Sequence, residues 1–167
     1  MSVAEHKATA PRAVRCFVLT VSDTRTLGTD TSGQTIASLL ESAGHHVTGR
    51  QAVKDEPADV AAVVRAVVAA GDAQVVITTG GTGITRRDST YEALAGLFDK
   101  ELDGFGELFR MLSFEHVGPA AMLSRATAGV VGRCALFMLP GSEDAVRLAM
   151  ERLILPELGH VVGLIER

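Results

Sequence analysis

The chain has 167 residues and carries 16 lysines and arginines against 20 aspartates and glutamates, which gives a formal net charge of −4. Its length suffices for one domain with a hydrophobic core, and its 47% apolar and 22% charged residues are typical of a soluble globular protein. The acidic balance and the 4% aromatic content, with no Trp, argue against a protein that binds nucleic acid through phosphate contacts or base stacking.

Residues 1–13 combine Ala, Thr and Pro with mixed charge, and we predict that they form a flexible tail. They contain no hydrophobic signal core, and no apolar run in the sequence reaches the length of a membrane helix, so we expect a cytoplasmic protein without membrane association. Cys16 and Cys134 each lie in an apolar run, which favours buried free thiols over a disulfide or a zinc site.

Strand and helix patterns alternate along the rest of the chain. Apolar runs predict strands over residues 14–21, 46–53, 74–79 and 134–139. Helical spacing predicts helices over residues 32–43, 57–70, 89–98, 104–114 and 142–153, with a last short helix that ends near residue 165. Ser89 and Glu92 match a capping box, and Pro156 is expected to break or kink the final helical stretch.

This alternation predicts an α/β fold, a three-layer α/β/α arrangement with a mostly parallel central sheet, formed as a single domain by residues 14–167. In an open parallel sheet, ligands bind beyond the carboxyl ends of the strands. Loops 22–31, 54–56, 80–88 and 140–142 follow the four predicted strands. We therefore expect all four loops to lie at one edge of the sheet, and we expect the ligand-binding and reacting residues to lie in these loops.

The loop after the third strand is the most informative segment, and it reads Thr-Thr-Gly-Gly-Thr-Gly-Ile-Thr-Arg-Arg-Asp over residues 78–88. Glycines let the backbone approach a ligand closely, successive backbone N–H groups in such a turn bind phosphate, and arginines add planar donors. Asp88 suits a Mg²⁺ ion that bridges phosphates. The loop is not a P-loop, because it has no lysine, and it is not a dinucleotide fingerprint, because Arg86 stands at the third glycine position.

A simpler interpretation of the same segment is a tight connection between a strand and a helix. Arg86 and Arg87 would then be solvated surface charges, and Asp88 would cap the helix that starts at Ser89. Asp55, two residues before Pro57 in the loop after the second strand, would likewise be a helix-capping or first-turn acid.

Motifs along most of the chain resemble the MoaB/Mog family of molybdopterin-binding proteins, and they are most similar to its MoaB branch. The glycine loop, followed by Arg87, Asp88 and Thr90, resembles the family signature. The other matching segments occur in the family's order: Val21-Ser22-Asp23, Asp30 with Ser32-Gly33, Gly104-Phe105-Gly106-Glu107 with Phe109-Arg110, Leu123-Ser124-Arg125, and Leu139-Pro140-Gly141-Ser142.

The resemblance implies a role in molybdenum cofactor biosynthesis, as a molybdopterin adenylyltransferase. Such an enzyme transfers AMP from Mg-ATP to molybdopterin, releases pyrophosphate, and passes the adenylyl-molybdopterin to a metal-inserting protein of the same pathway. Mg²⁺ would be the cofactor, ATP and molybdopterin the substrates, and the assembly a homo-oligomer, either a trimer or a hexamer. The alternative is a non-catalytic molybdopterin-binding or carrier protein of the same pathway.

The resemblance also implies roles for individual residues. Asp55 and Asp88 match the family's two essential acidic positions, as catalytic residues and as Mg²⁺ ligands. The nucleotide and phosphate contacts are expected at Thr79, Gly80, Gly81, Thr82, Gly83 and Arg87. The pterin contacts are expected at Ser22, Asp23, Ser32, Gly33, Ser124, Arg125, Pro140, Gly141 and Ser142.

Overall fold

The structure, a computed structural model, describes residues 2–167. Within them lie the strands β1 (Arg15–Val21), β2 (His46–Val53), β3 (Val75–Thr79), β4 (Lys100–Glu101), β5 (Thr127–Val131) and β6 (Cys134–Leu139). The α-helices are α1 (Val3–Ala8), α2 (Thr31–Ser42), α3 (Pro57–Ala70), α4 (Thr90–Leu94), α5 (Asp103–Val117), α6 (Glu143–Ala149) and α7 (Leu155–Ile165). The 3₁₀ segments Ala95–Leu97 and Gly118–Leu123 follow α4 and α5, and the π-helical turn Met150–Ile154 joins α6 to α7.

The strands form one sheet in the order β2-β1-β3-β6-β5-β4. The first four strands run parallel, whereas β5 and β4 pair antiparallel at one edge. Helices cover both faces of this sheet, so the predicted α/β fold with a mostly parallel sheet is confirmed.

The inner parallel strands β1, β3 and β6 are mainly apolar because both of their faces are covered, whereas the edge strand β2 is more polar and has no buried residue. In β1, Val18 contributes to the core on the side of α2, α5 and α7, and the next residue, Leu19, contributes to the core under α3 and α4. The same alternation in β6 places Phe137 in the first core and Met138 in the second. Successive side chains point to opposite faces, so a sheet buried on both sides requires an uninterrupted apolar run.

The antiparallel edge differs from the predicted topology, which contains neither β4 nor β5. The strand β4 consists of only two residues, and both are exposed. The strand β5 contains Gly129, and glycine weakens the sequence pattern of a strand. A Cβ atom at Gly129 would overlap the Phe98 ring. The glycine therefore makes room for a side chain from a distant part of the chain, and the predicted helix over residues 89–98 ends earlier, at Leu94, before its 3₁₀ turn.

The N-terminal segment, which we predict to be a flexible tail, contains the helix α1. Ser2 and Glu5 form a capping box at its start, and Lys7 pairs with Glu157 of α7. A Cβ atom at Gly159 of α7 would overlap the carbonyl oxygen of Pro11, which shows how closely the segment passes the helix. No side chain of α1 is buried, so its own sequence carries little helical signal.

Pro156 does not break the final helical stretch. The π-helical turn over Met150–Ile154 joins α6 to α7 without interruption, and Pro156 lies in the first turn of α7. The wider turn accommodates the missing N–H and the bulk of the proline ring. The predicted helix end at residue 153 is therefore wrong.

Cys16 and Cys134 are buried free thiols, as predicted. Burial raises the pKa of the Cys16 thiol to about 12. No helix within residues 2–167 is both long and apolar enough to cross a membrane.

His45 makes the stability of the fold depend on pH. Its Nδ1 accepts a hydrogen bond from the backbone N–H of Val14 at 3.1 Å, just before β1, so that nitrogen must be unprotonated. Burial, and then the neighbouring His46, lower the pKa of His45 below its ordinary value. The unfolded chain therefore binds this proton more readily, and the free energy of unfolding should decrease as the pH falls from about 6.5 through the lowered folded-state value.

Urea unfolding of the wild type and of His45→Asn between pH 7.5 and 5.5 tests this dependence. The variant should lose less stability over the range, because Asn accepts the same kind of hydrogen bond without titrating. Equal slopes for the two proteins would contradict the role of His45.

Candidate functional site

The four loops predicted to share one edge of the sheet do meet there. The backbone N–H of Ser22, after β1, donates to the carbonyl of Val53 at the end of β2, at 2.9 Å. Gly80, after β3, donates to the carbonyl of Leu139 at the end of β6, at 3.0 Å. The Thr79 hydroxyl donates to the carbonyl of Pro140 at 2.8 Å. The carboxyl ends of β2, β1, β3 and β6 thus form one continuous surface.

The glycine loop, residues 80–83, packs against its neighbours more closely than a side chain would permit. Gly80 and Gly81 have positive φ angles of 99° and 70°. A Cβ atom at Gly80 would overlap the Val21 carbonyl oxygen, and one at Gly81 would overlap the Thr90 hydroxyl. Thr90 also donates its hydroxyl to the carbonyl of Gly80 at 2.9 Å. The loop is thus formed in advance by contacts within the chain.

Asp55 and Asp88 flank this glycine loop from two sides. Asp55 has only 7% of its surface exposed, and its Oδ2 lies 2.7 Å from the position that a Cβ atom of Gly81 would take. Asp88 Oδ2 lies at the same distance, 2.7 Å, from the corresponding position at Gly83. The structure therefore brings together the two carboxylates that the sequence places in different loops.

The predicted helix-capping roles near these carboxylates are not what the structure shows. Asp55 Oδ1 accepts the Ser89 hydroxyl at 2.6 Å, while Glu56 occupies the N-cap of α3 without a side-chain bond. Ser89 forms no capping box, because its hydroxyl is directed to Asp55 and the Glu92 carboxylate pairs with Arg125. The segment instead ties the helix start to the loop that carries Asp55.

Arg87 lies in the predicted phosphate motif, but its guanidinium is held by two carboxylates. It bonds Asp23 through two nitrogens, both at 3.0 Å, and Glu56 at 2.9 Å. Asp23 in turn accepts the backbone N–H of Asp55 at 3.2 Å. Arg87, followed by the Asp55 N–H, lowers the pKa of Asp23, and Asp23 with Glu56 raises the pKa of Arg87. This arrangement links the loops after β1, β2 and β3.

Arg125 holds the other side of the glycine loop. Its Nε donates to the carbonyl of Gly83 at 2.9 Å, its Nη2 to the carbonyl of Asp88 at 3.3 Å, and it forms an ion pair with Glu92. The Arg125 contact lowers the pKa of Glu92. The guanidinium also lies 5.3 Å from the centroid of the Tyr91 ring. Arg125 is therefore engaged with the protein itself.

A cleft of about 260 Å³ lies on the β1 side of the glycine loop, and we call it the hydroxyl cleft. Its lining includes six hydroxyl side chains, those of Thr20, Ser22, Thr31, Ser32, Thr79 and Ser142. Arg25, Asp30, Glu143 and the backbone of Gly80 and Gly141 complete its polar surface. Three of the predicted pterin-contacting side chains, Ser22, Ser32 and Ser142, thus meet in one place.

A second cleft lies over the glycine loop itself, and we call it the loop cleft. It is lined by residues 80–83 and Asp88 on one side and by Leu123, Ser124, Pro140 and Gly141 on the other. The two clefts share Gly80 and Gly141. Gly80–Gly83, predicted for phosphate, therefore adjoin six of the residues predicted for pterin, whereas Asp23, Arg87 and Arg125 line neither cleft and Thr79 lines the hydroxyl cleft.

Gly33 does not line either cleft. It is buried in the first turn of α2, where its N–H donates to Asp30 Oδ1 at 2.8 Å. A Cβ atom there would overlap Asp30 Oδ2 and lie 2.5 Å from the Thr20 hydroxyl. Gly33 thus makes room for Asp30, a buried acid that site prediction from the sequence missed although it begins a helix. Arg25 was missed too, because an exposed charge in a loop carries no signal of its own.

Comparison with known proteins shows the family to which the chain belongs. Residues 17–160 match the family described as a probable molybdopterin binding domain. The chain therefore belongs to this family of molybdopterin-binding domains, as its resemblance to MoaB and Mog proteins predicts.

The relatives are more specific. The molybdenum cofactor biosynthesis protein B of Bacillus cereus is 56% identical over 162 residues, which are 96% of each chain. A crystal structure of a molybdenum cofactor biosynthesis protein B has 53% identity and a TM-score of 0.91, over 95% of this chain and 99% of that one. The tungsten cofactor synthesizing protein MoaB of Pyrococcus furiosus has 41% identity and a TM-score of 0.86, over 95% and 100%. The predicted similarity to the MoaB branch is confirmed.

Gly81→Ala tests whether the glycine loop depends on the absence of a side chain. The substitution should destabilise the protein by roughly 1–3 kcal/mol, because the new methyl group meets the Thr90 hydroxyl at a positive φ angle. Urea unfolding measures the change. Gly96→Ala is the matched control, since nothing lies within 4 Å of its added Cβ. A loss of equal size in both variants would contradict the special role of Gly81.

Proposed function

We propose that this protein acts in molybdenum cofactor biosynthesis by binding molybdopterin and adenylylating its terminal phosphate with Mg-ATP, with release of pyrophosphate. The observation that carries the proposal is the close approach of both carboxylates to the glycine loop, Asp55 beside Gly81 and Asp88 beside Gly83. Transfer of a phosphoryl-type group depends on positioning and on charge neutralisation. A glycine loop that can accept an anion, with two carboxylates beside it that can bind a metal ion, meets both requirements.

The donor set fits Mg²⁺ held together with phosphates. Within residues 2–167, no three His, Cys, Asp or Glu side chains are grouped as an all-protein metal site. Mg²⁺ commonly uses one or two carboxylates and completes its shell with water and substrate phosphate oxygens. Among the described residues, Asp55 Oδ2 and Asp88 Oδ1 receive no hydrogen bond, so each carboxylate keeps an oxygen for an ion. When bound there, Mg²⁺ would neutralise charge on the triphosphate.

The protein's own groups would position two substrates. The backbone N–H groups of residues 81–83 would hold the nucleotide phosphates in the loop cleft, whereas Thr79 and Gly80, which donate to Pro140 and Leu139, would hold the loop in place. Ser22, Ser32 and Ser142 of the hydroxyl cleft, with Ser124, Pro140 and Gly141 beside it, would hold the pterin substrate. A phosphate oxygen of molybdopterin would then attack the α-phosphorus of ATP, and the bond from that phosphorus to the bridging oxygen would break as pyrophosphate leaves.

The ion pairs of Arg87 modify the role that the resemblance implies for this residue. Arg87 would act chiefly by holding three loops in register, since Asp23 and Glu56 already occupy its guanidinium. Asp23 would likewise act on the pterin side through this pairing and through the backbone of Asp55. Both residues would then position Asp55.

The second candidate is a carrier that binds molybdopterin without chemistry. The pairing of both Arg87 and Arg125 with carboxylates favours it, because these cations do not face a bound triphosphate freely. Incubation of the purified protein with molybdopterin and Mg-ATP separates the two candidates. Adenylylated pterin and pyrophosphate support the enzyme, and pterin binding without either product supports the carrier.

Asp88→Asn tests the catalytic carboxylate. We expect AMP transfer to fall by roughly 100-fold or more, because the amide keeps the shape of the side chain but removes the charge that would bind Mg²⁺. Molybdopterin binding in the absence of Mg-ATP should persist. Asp72→Asn, an exposed carboxylate in the turn that precedes β3 at the other end of the sheet, is the control for charge removal. An Asp88→Asn variant that retains wild-type turnover would refute the assignment.

We further propose that the protein is a homo-oligomer, a trimer or hexamer, that uses the exposed apolar face of α5 and the following 3₁₀ segment. Exposed side chains recur every three residues along α5, at Leu108, Met111, Phe114 and Val117, and Met122 beyond them is 78% exposed. An apolar patch of this kind on a soluble protein is typical of an interface.

The adenylylated product would pass to the metal-inserting protein of the pathway in the cytoplasm.

Phe114→Glu should dissociate the assembly, because a charge buried in an apolar interface is costly. Analytical ultracentrifugation would show the loss of the larger species, and circular dichroism should show that the helices persist. Leu164→Glu on α7 places the same charge at an isolated exposed apolar position and should leave the assembly intact. Wild-type protein that sediments as a monomer would refute the proposal.

A further inference from the structure

We propose that Arg25 is the residue that recognises the phosphate of the pterin substrate, an inference that rests on the proposed function. On this proposal the hydroxyl cleft binds a phosphate group, and Arg25 is the cation that contacts it. The resemblance to the family assigns no role to Arg25, so the inference depends on the charges around the cleft.

The two acids of the hydroxyl cleft are already compensated by cations outside it. Asp30 Oδ2 lies 3.2 Å from Arg50 Nη2 and accepts the Thr20 hydroxyl at 2.5 Å. Glu143 accepts from Arg147 at 3.3 Å and from the Thr35 hydroxyl at 3.1 Å. Neither acid therefore serves as the counter-charge of Arg25.

Arg25 is the cation of this cleft, and it has no carboxylate partner within residues 2–167. The one hydrogen bond of its guanidinium joins Nη1 to the carbonyl of Thr29 at 3.1 Å. The remaining N–H donors form a planar array suited to phosphate oxygens. A cleft with paired acids and one unpaired guanidinium is electrostatically complementary to a single added anion.

The loop that carries Arg25 is folded before any ligand arrives. The backbone N–H of Arg25 donates to the Ser22 hydroxyl at 3.0 Å, and the N–H of Thr26 donates to the Thr29 hydroxyl at the same distance, 3.0 Å. These bonds hold the guanidinium beside the start of α2, a helix of 12 residues whose first residues, Thr31 and Ser32, line the cleft. The positive end of the helix dipole adds to the attraction for an anion.

The other arginines at this edge of the sheet do not meet the same conditions. Arg87 and Arg125 are paired with carboxylates. Arg86 lies outside the hydroxyl cleft, on a separate surface that it shares with Arg125, Asp88 and Glu92. Of these four arginines, the hydroxyl cleft therefore contains Arg25 alone.

The test measures binding of molybdopterin, of dephosphorylated molybdopterin and of ATP to the wild type, Arg25→Lys, Arg25→Gln and Arg65→Gln. Arg65 is an exposed arginine of α3 and serves as the matched control. Arg25→Gln should weaken molybdopterin binding by roughly 10- to 100-fold, with Arg25→Lys between it and the wild type. Binding of the dephosphorylated pterin, binding of ATP, and all binding by Arg65→Gln should stay unchanged.

The outcomes separate this inference from the proposed function. If Arg25→Gln binds molybdopterin like the wild type, or loses affinity equally for the pterin with and without its phosphate, the role of Arg25 is overturned while adenylylation stands. If the wild type binds molybdopterin but forms no adenylylated product, adenylylation is overturned and the role of Arg25 is still decided by the affinities. Wild-type protein that binds no molybdopterin overturns both.

Discussion

The site is built on the close approach of the glycine loop to the ends of two strands. Gly80 lies so near the carbonyl of Val21 that no side chain fits between them, and its N–H bonds the end of β6. This contact fixes the loop after β3 relative to the loops on both sides. The positions of Asp55, Asp88 and the two clefts follow from it, because each is defined by a distance to this loop. Van der Waals contact, more than any charge, thus gives the site its shape.

Charge then divides the edge of the sheet into regions with different roles. Arg87 and Arg125 are paired with Asp23, Glu56 and Glu92, and they tie loops together as structural cations. Asp55 and Asp88 keep oxygens that no donor occupies, which leaves negative charge for an ion. Arg25 keeps donors that no acid occupies, which leaves positive charge for a phosphate. Under the proposed function, a pterin substrate with a phosphate and an ATP with its cation would each meet charge of the complementary sign at this edge of the sheet.

The parallel part of the fold could be predicted from the sequence because burial on both faces produces uninterrupted apolar runs, as in β3 and β6. The meeting of the four loops follows directly from that prediction. The helix α1 and the strand β5 could not be predicted, because they depend on α7 and on Phe98, which lie far away in the sequence. In the site, the loops and both acids were found, but the partners of Ser89 and Arg87 were not. A flexible polar side chain can donate to several different acceptors, and the sequence does not indicate which of them lies within hydrogen-bond distance in the folded protein.

The boundary between the two clefts consists of backbone alone, since both clefts share Gly80 and Gly141, and these residues carry no side chains. The separation of two ligands on either side of it is therefore set by the thickness of a peptide chain. Substitution of Gly80 cannot adjust that separation without strain, because any side chain there would collide with the end of β1. Changes in substrate preference must then arise at the outer walls of the clefts, while the spacing between the two ligands is inherited with the fold.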